Sequence, residues 1–178
     1  MSPFNQLGVA VTRLVTDSRA IMPGDTFVAY IGERQDGRAF IAQAIARGAN
    51  AVLWESQDFV WNPAWQVPNV GIANLRQQAG ELADAVYGQP SEKLWMIGVT
   101  GTNGKTSTSH WISEVLTQNA RKCALIGTLG NGFQGALQPS VNTTPDAIRV
   151  HQSLADYWQQ GAQAVAMRYL LMRYRKIG

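Results

Sequence analysis

The stretch from Leu94 to Gln118 constrains this chain more than any other. It reads Leu-Trp-Met-Ile-Gly-Val-Thr-Gly-Thr-Asn-Gly-Lys-Thr-Ser and then enters a helical pattern. An apolar strand over Leu94 to Val99 feeds a glycine-rich turn, Gly101 to Gly104. Lys105 then opens a segment in which Ile112, Val115 and Leu116 recur at helical spacing. Glycines at 101 and 104 permit positive φ and a close backbone approach, so the N–H groups at the helix start can converge on phosphate oxygens. A strand, a glycine turn and a helix opened by Lys-Thr is the context a phosphate-binding loop requires. An ordinary strand-turn-helix would not need Lys-Thr at that place.

Gly101, Thr102, Asn103, Gly104, Lys105, Thr106 and Ser107 are therefore the candidate nucleotide site. Lys105 is placed to lie against the β and γ phosphates as the candidate catalytic residue, and the Thr106 hydroxyl to hold Mg²⁺. The common form of this loop carries glycine five residues before Gly104, where this chain has Val99; its glycines fall at Gly98 and Gly101 instead. Gly-Val-Thr-Gly-Thr-Asn-Gly-Lys-Thr resembles the variant of the Mur ligases and their folylpolyglutamate synthetase relatives. The resemblance implies a loop that binds ATP in order to activate a carboxylate.

With 178 residues, 46% hydrophobic and 15% charged, the chain suits a globular α/β protein of one or two domains. It has no apolar run of membrane-spanning length and no basic-then-apolar N-terminus, which makes a cytoplasmic location the expectation. The lone cysteine, Cys123, sits in an apolar run and reads as a buried structural thiol. The net charge of +3 comes from the last residues: Arg168, Arg173, Arg175 and Lys176 are accompanied by no acid, which leaves eleven cations against twelve acids before them. A basic end alone gives no reason to expect nucleic acid.

Residues 1 to 88 read as a separate α/β unit. Asp17-Ser18-Arg19 precedes a turn at Pro23-Gly24-Asp25, a strand over Thr26 to Ile31 and a polar loop, Gly32 to Gly37. A helix carrying Phe40, Ile41, Ala44 and Ile45 ends at Gly48, and Ala51 to Trp54 is the next strand. Glu55 to Pro68 reads as a loop whose tryptophans pack against the core. A short strand, Val70 to Ile72, and a helix, Leu75 to Tyr87, lead to Gly88-Gln89-Pro90-Ser91, the domain boundary. Asp17-Ser18-Arg19 by itself is a hydrogen-bonded turn. Together with Gly24-Asp25-x-Phe27-Val28-Ala29 and Gly32-x-x-x-Asp36-Gly37-x-x-Phe40, it resembles the N-terminal substrate domain shared by two branches of the Mur ligases. There the resemblance implies contacts to the uridine end of a UDP-N-acetylmuramoyl peptide from Thr16, Ser18 and the loop Glu33, Arg34 and Gln35.

Beyond the loop helix, Cys123 to Ile126 reads as a strand and Gly127 to Gly135 as a glycine-rich loop. Asn142-Thr143-Thr144-Pro145-Asp146 then starts a helix carrying Ile148, Leu154 and Ala155, with Thr144 as its cap and Pro145 at its first position. Asn-Thr-Thr-Pro at this distance from the loop resembles the tripeptide synthetase branch of the family, which implies that Asn142, Thr143 and Thr144 contact the substrate near its phosphates. His110 and His151 lie in helical stretches without ligand-spaced partners and read as incidental.

The likeness runs from about residue 15 to 167. Where the family continues Glu-Val-Ser-Ser-His-Ala-Leu, this chain has Arg168-Tyr169-Leu170-Leu171-Met172-Arg173. Losing one base from a suitable coding of the family heptapeptide yields those residues, so 168 to 178 is expected to be a non-native, frameshifted tail. The fold expected is a small N-terminal α/β substrate domain followed by the first part, 89 to 167, of a Rossmann-like, mostly parallel ATPase domain. The resemblance implies a cytoplasmic, monomeric, ATP- and Mg²⁺-dependent ligase of peptidoglycan precursor synthesis. Such a ligase adds diaminopimelate or lysine to UDP-N-acetylmuramoyl-L-alanyl-D-glutamate through an acyl phosphate, with no nucleic acid or membrane partner. A chain lacking the later segments is expected to be inactive alone. The alternatives are a ligase of the sister branch, another phosphate-loop enzyme, or a non-catalytic nucleotide-binding remnant.

Overall fold

The computed structural model describes residues 3–33, 35–139 and 146–168. The expected contacts at Arg34 and Asn142 to Thr144, the Thr144 cap with Pro145, and the tail from 169 onward lie outside them. The chain divides into two compact units, one of residues 1–88 with 147–151, the other of 89–146 with 152–178.

In the first unit, β1 (Leu14–Val15), β2 (Thr26–Ala29), β3 (Ala51–Glu55) and β4 (Asn69–Ile72) form a sheet in that order, every pair parallel. Parallel neighbours need crossovers. Here α1 (Ile41–Ala46) joins β2 to β3, and α2 (Leu75–Val86) follows β4. All four residues of β2 are buried, as expected of a strand covered on both faces. Alternation then sorts the side chains between two cores. Phe27, Ala29 and Val52 meet Ile41 and Ala44 of α1, whereas Val28, Ala51 and Leu53 meet Leu75, Ala79, Leu82 and Ala83 of α2. The loop aromatics Phe59, Trp61 and Trp65 close over the first of these cores with Trp54; the Trp54 and Trp61 rings stack at 5.7 Å.

In the second unit, α3 (Pro90–Lys93) leads into β5 (Trp95–Val99), and α4 (Lys105–Gln118) connects it to β6 (Cys123–Gly127). After β7 (Gly130–Phe133) come α5 (Ala147–Gln159), whose residues 147–151 group with the first unit, and β8 (Ala164–Arg168). The sheet order is β5-β8-β6-β7, with β8 parallel to both neighbours and β7 antiparallel to β6. Ile112 and Leu116 of α4 pack on Cys123, Leu125, Ala164 and Ala166. Cys123 is a buried free thiol, and burial raises its pKa.

The strand β7 corrects the reading of Gly127 to Gly135 as a loop. Gly130 has φ 140°, and a side chain there would meet the Gln138 carbonyl at 2.7 Å. That strand exists because a neighbouring backbone approaches it: Asn131 and Gln138 exchange N–H···O bonds, each 2.9 Å long.

Candidate functional site

In the second unit, β5 ends at Val99 and α4 begins at Lys105. Between them Gly101 takes φ 139° and Gly104, capping the helix, takes φ 75°. The first intrahelical bond, Thr108 N–H to the Gly104 carbonyl, is 2.9 Å, and the first-turn N–H groups ahead of it have no acceptor within the helix. These groups and the helix dipole favour an anion at the loop. The Lys105 ammonium folds back over the loop, bonded to the carbonyls of Gly101 and, at 3.1 Å, Thr102. Gly101, Thr102, Asn103, Gly104 and Ser107 are exposed along this turn. The Thr106 hydroxyl stands 3.2 Å from that of Thr128, a residue that sequence reasoning did not single out.

The first unit holds a cleft of about 460 Å³, within the size range of small-molecule sites. Thr16, Ser18 and Gln35 line it, joined by Asp17, Arg19, Tyr30, Phe40 and Gln43. Asp17 caps the 3-10 turn Ser18–Ala20 by accepting the Arg19 N–H at 2.9 Å. Its carboxylate also takes the Arg19 guanidinium at 3.0 and 2.9 Å, and this bonding lowers the Asp17 pKa. The buried Ser18 hydroxyl donates to Gln43 Oε1 at 2.6 Å across a separation of 25 residues. Gly37 closes the cleft wall, since its N–H reaches the Tyr30 carbonyl at 2.9 Å and a Cβ there would stand 2.8 Å from that oxygen.

Glu33 is not part of the cleft lining. It is exposed and forms an ion pair with Arg76 at 2.9 Å. Asp17, Arg19 and Phe40 belong to the motifs quoted above, but Tyr30 and Gln43 carry no signal of their own. Gln43 in particular looks like any polar residue of an alanine-rich helix.

Among the described residues no His, Cys, Asp and Glu cluster could hold a metal ion. The Thr106 hydroxyl is a hard donor at the loop. This fits Mg²⁺, which favours oxygen ligands and takes most of them from phosphates and water in nucleotide sites.

Fold and site define a two-unit α/β protein with a glycine-rich strand-to-helix turn in its second unit and a cleft in its first. The chain belongs to the Mur ligase family: residues 10–87 match the Mur ligase family, catalytic domain, and residues 99–168 the Mur ligase middle domain. It is 54% identical over 164 residues to the UDP-N-acetylmuramoyl-L-alanyl-D-glutamate–2,6-diaminopimelate ligase of Nitrosomonas europaea, covering 92% of this chain and 32% of that one. With the ligase of the same name from Neisseria meningitidis serogroup A, identity is 48% over 176 residues, covering 94% of this chain and 36% of the other. A solved structure of such a diaminopimelate ligase superposes with TM-score 0.73 at 33% identity, over 89% of this chain and 32% of that chain. The chain thus spans about a third of the length of the curated relatives it matches.

Proposed function

We propose that this chain is the substrate- and nucleotide-binding portion of an ATP-dependent ligase of peptidoglycan precursor synthesis. The reaction joins the amine of a diamino acid, diaminopimelate in the relatives' names, to the glutamate carboxylate of UDP-N-acetylmuramoyl-L-alanyl-D-glutamate. The observation that carries this reading is the order of parts. A cleft-bearing unit matching one Mur ligase domain precedes a phosphate loop in a unit matching the next.

Mg²⁺-ATP supplies the phosphoryl group that activates the carboxylate. The chain's own residues bind and orient. The N–H groups of residues 105 to 107 receive the polyphosphate at the helix start, and Lys105 leaves the loop carbonyls to pair with phosphate oxygens. Thr106 is the residue that would hold the metal. In the first unit, Ser18, Gln35 and Thr16 line the cleft for the uridine end, with Arg19 held at its mouth by Asp17.

Calorimetric titration of the chain with Mg²⁺-ATP, and separately with UDP-N-acetylmuramoyl-L-alanyl-D-glutamate, tests this. Lys105→Ala should abolish the first and spare the second; Ser18→Ala should spare the first and weaken the second. Absence of saturable heat with either ligand for the parent chain overturns the reading.

A further inference from the structure

Thr106 and Thr128 reach one another from separate elements. Thr106 sits in the first turn of α4. Thr128 is the first of the two residues that turn β6 into β7, since Gly127 and Gly130 are paired on either side of it. The hairpin holds Thr128 independently of the phosphate loop. Asn131 Oδ1 accepts the Gly127 N–H at 3.1 Å, and Gly130 turns the chain at φ 140°. Both hydroxyls are half-buried, and either can donate across the 3.2 Å between them.

We propose that Thr128 is a positioning residue for the metal-holding hydroxyl of Thr106. This rests on the reading of the loop as a Mg²⁺-nucleotide site. A hydroxyl that gives a lone pair to a divalent cation keeps its hydrogen, becomes a stronger donor, and needs an acceptor on the side away from the ion. A threonine inside a helix can use the carbonyl four residues back. For Thr106 that position is Thr102, which precedes the Gly104 cap and so lies outside the helical ladder that would aim its carbonyl at the hydroxyl. Thr128 Oγ1, 3.2 Å away, is an acceptor within reach. When it takes the Thr106 hydrogen, the Thr106 lone pairs turn toward the loop, where phosphate and metal would lie. The hairpin turn is thereby a second support for the site, reached from the other side of β6.

The experiment titrates the 178-residue chain with ATP, once with excess Mg²⁺ and once with EDTA, for the parent, Thr128→Val, Thr128→Ser and Lys105→Ala. Valine keeps the shape and removes the acceptor. The result expected is an affinity for Mg²⁺-ATP about tenfold weaker in Thr128→Val, the scale of one hydrogen bond to a charge-assisted group. Affinity in EDTA should be unchanged, and serine should restore the parent value. Equal losses with and without Mg²⁺, no loss at all, or failure of serine to restore binding would each overturn the proposal; a circular-dichroism melt of each variant identifies unfolding as the cause of an equal loss. If Lys105→Ala also binds like the parent, or the parent does not bind, the loop reading has failed and the Thr128 role falls with it. A normal Lys105 dependence beside an inert Thr128→Val sinks the Thr128 role alone.

Discussion

Glu55, the last residue of β3, caps the helix that begins at Leu75. Its Oε2 accepts the Leu75 N–H at 2.7 Å and its Oε1 the Asn74 N–H at 3.0 Å. Asn74 itself takes φ 55° and makes no side-chain cap. Glu55 is 6% exposed, so the amino end of α2 is satisfied by a buried side chain from β3 rather than by a local residue.

Removing that carboxylate takes the acceptor from the buried Leu75 N–H and from the N–H groups of Asn74 and Gln57. Glu55→Ala should destabilise the first unit by about 2 kcal/mol, and Glu55→Gln, which keeps one acceptor but not the charge, by about half as much. Urea denaturation followed by tryptophan fluorescence reads this directly, because Trp54 adjoins Glu55 in β3. An unchanged midpoint in Glu55→Ala would show that the cap contributes nothing.

A second anchored acid sets a pH dependence. Arg38 is 7% exposed and donates to the Gln57 carbonyl at 2.6 Å while forming a two-point pair with Asp36, Nη2 to Oδ2 at 2.8 Å. The guanidinium's hydrogen bonds hold the Asp36 carboxyl below its usual range. A carboxyl with a lowered folded pKa stabilises the fold above its unfolded pKa, about 4 for aspartate, and loses that contribution as pH falls through the lower folded value. The parent's denaturation midpoint should therefore fall below about pH 4. Asp36→Asn should be less stable than the parent at pH 7 and show a shallower acid limb. Parallel acid limbs for the two proteins would count against the pair.

These two anchors mark where the sequence could and could not be read. The strand-turn-helix from Trp95 through Gln118 is encoded locally, by an apolar run, glycines and a helical period, and is legible as such. The fold class, α/β and mostly parallel, follows from repeated local units of that kind. The β7 strand is not local. Gly130 and Gly132 have little strand propensity, and the strand exists through pairing with β6 and the approach of residues 136 to 138. The Glu55 cap and the Ser18 to Gln43 bond likewise join residues that only the tertiary fold brings together.

Two glycines of the β6–β7 hairpin test how firmly its backbone is fixed. A side chain at Gly130 must adopt φ 140° and displace the Gln138 carbonyl, so Gly130→Ala should cost about 2 kcal/mol or more. Gly127→Ala, at ordinary φ with open space about its Cβ, should cost less than about 0.5 kcal/mol despite lying three residues away. Thermal melts of the two variants make the comparison. Equal losses would mean that the hairpin backbone is less fixed than Gly130 requires.

Ser18 and Gln43 provide a test of how the cleft is held together. The 2.6 Å bond spends the Ser18 hydrogen on Gln43 Oε1, so toward a ligand Ser18 presents lone pairs and Gln43 its amide N–H groups. Under the proposed function the two act on the uridine end as one donor–acceptor unit, and breaking either side releases the other. Ser18→Ala and Gln43→Leu should each weaken binding of UDP by about fivefold, with the double variant little worse than either single one, the non-additivity of residues sharing one hydrogen bond. Titrating the four proteins with UDP gives the coupling. Fully multiplicative losses would separate the residues into independent contacts. A loss confined to Ser18→Ala would leave Gln43 a bystander on the rim of the cleft.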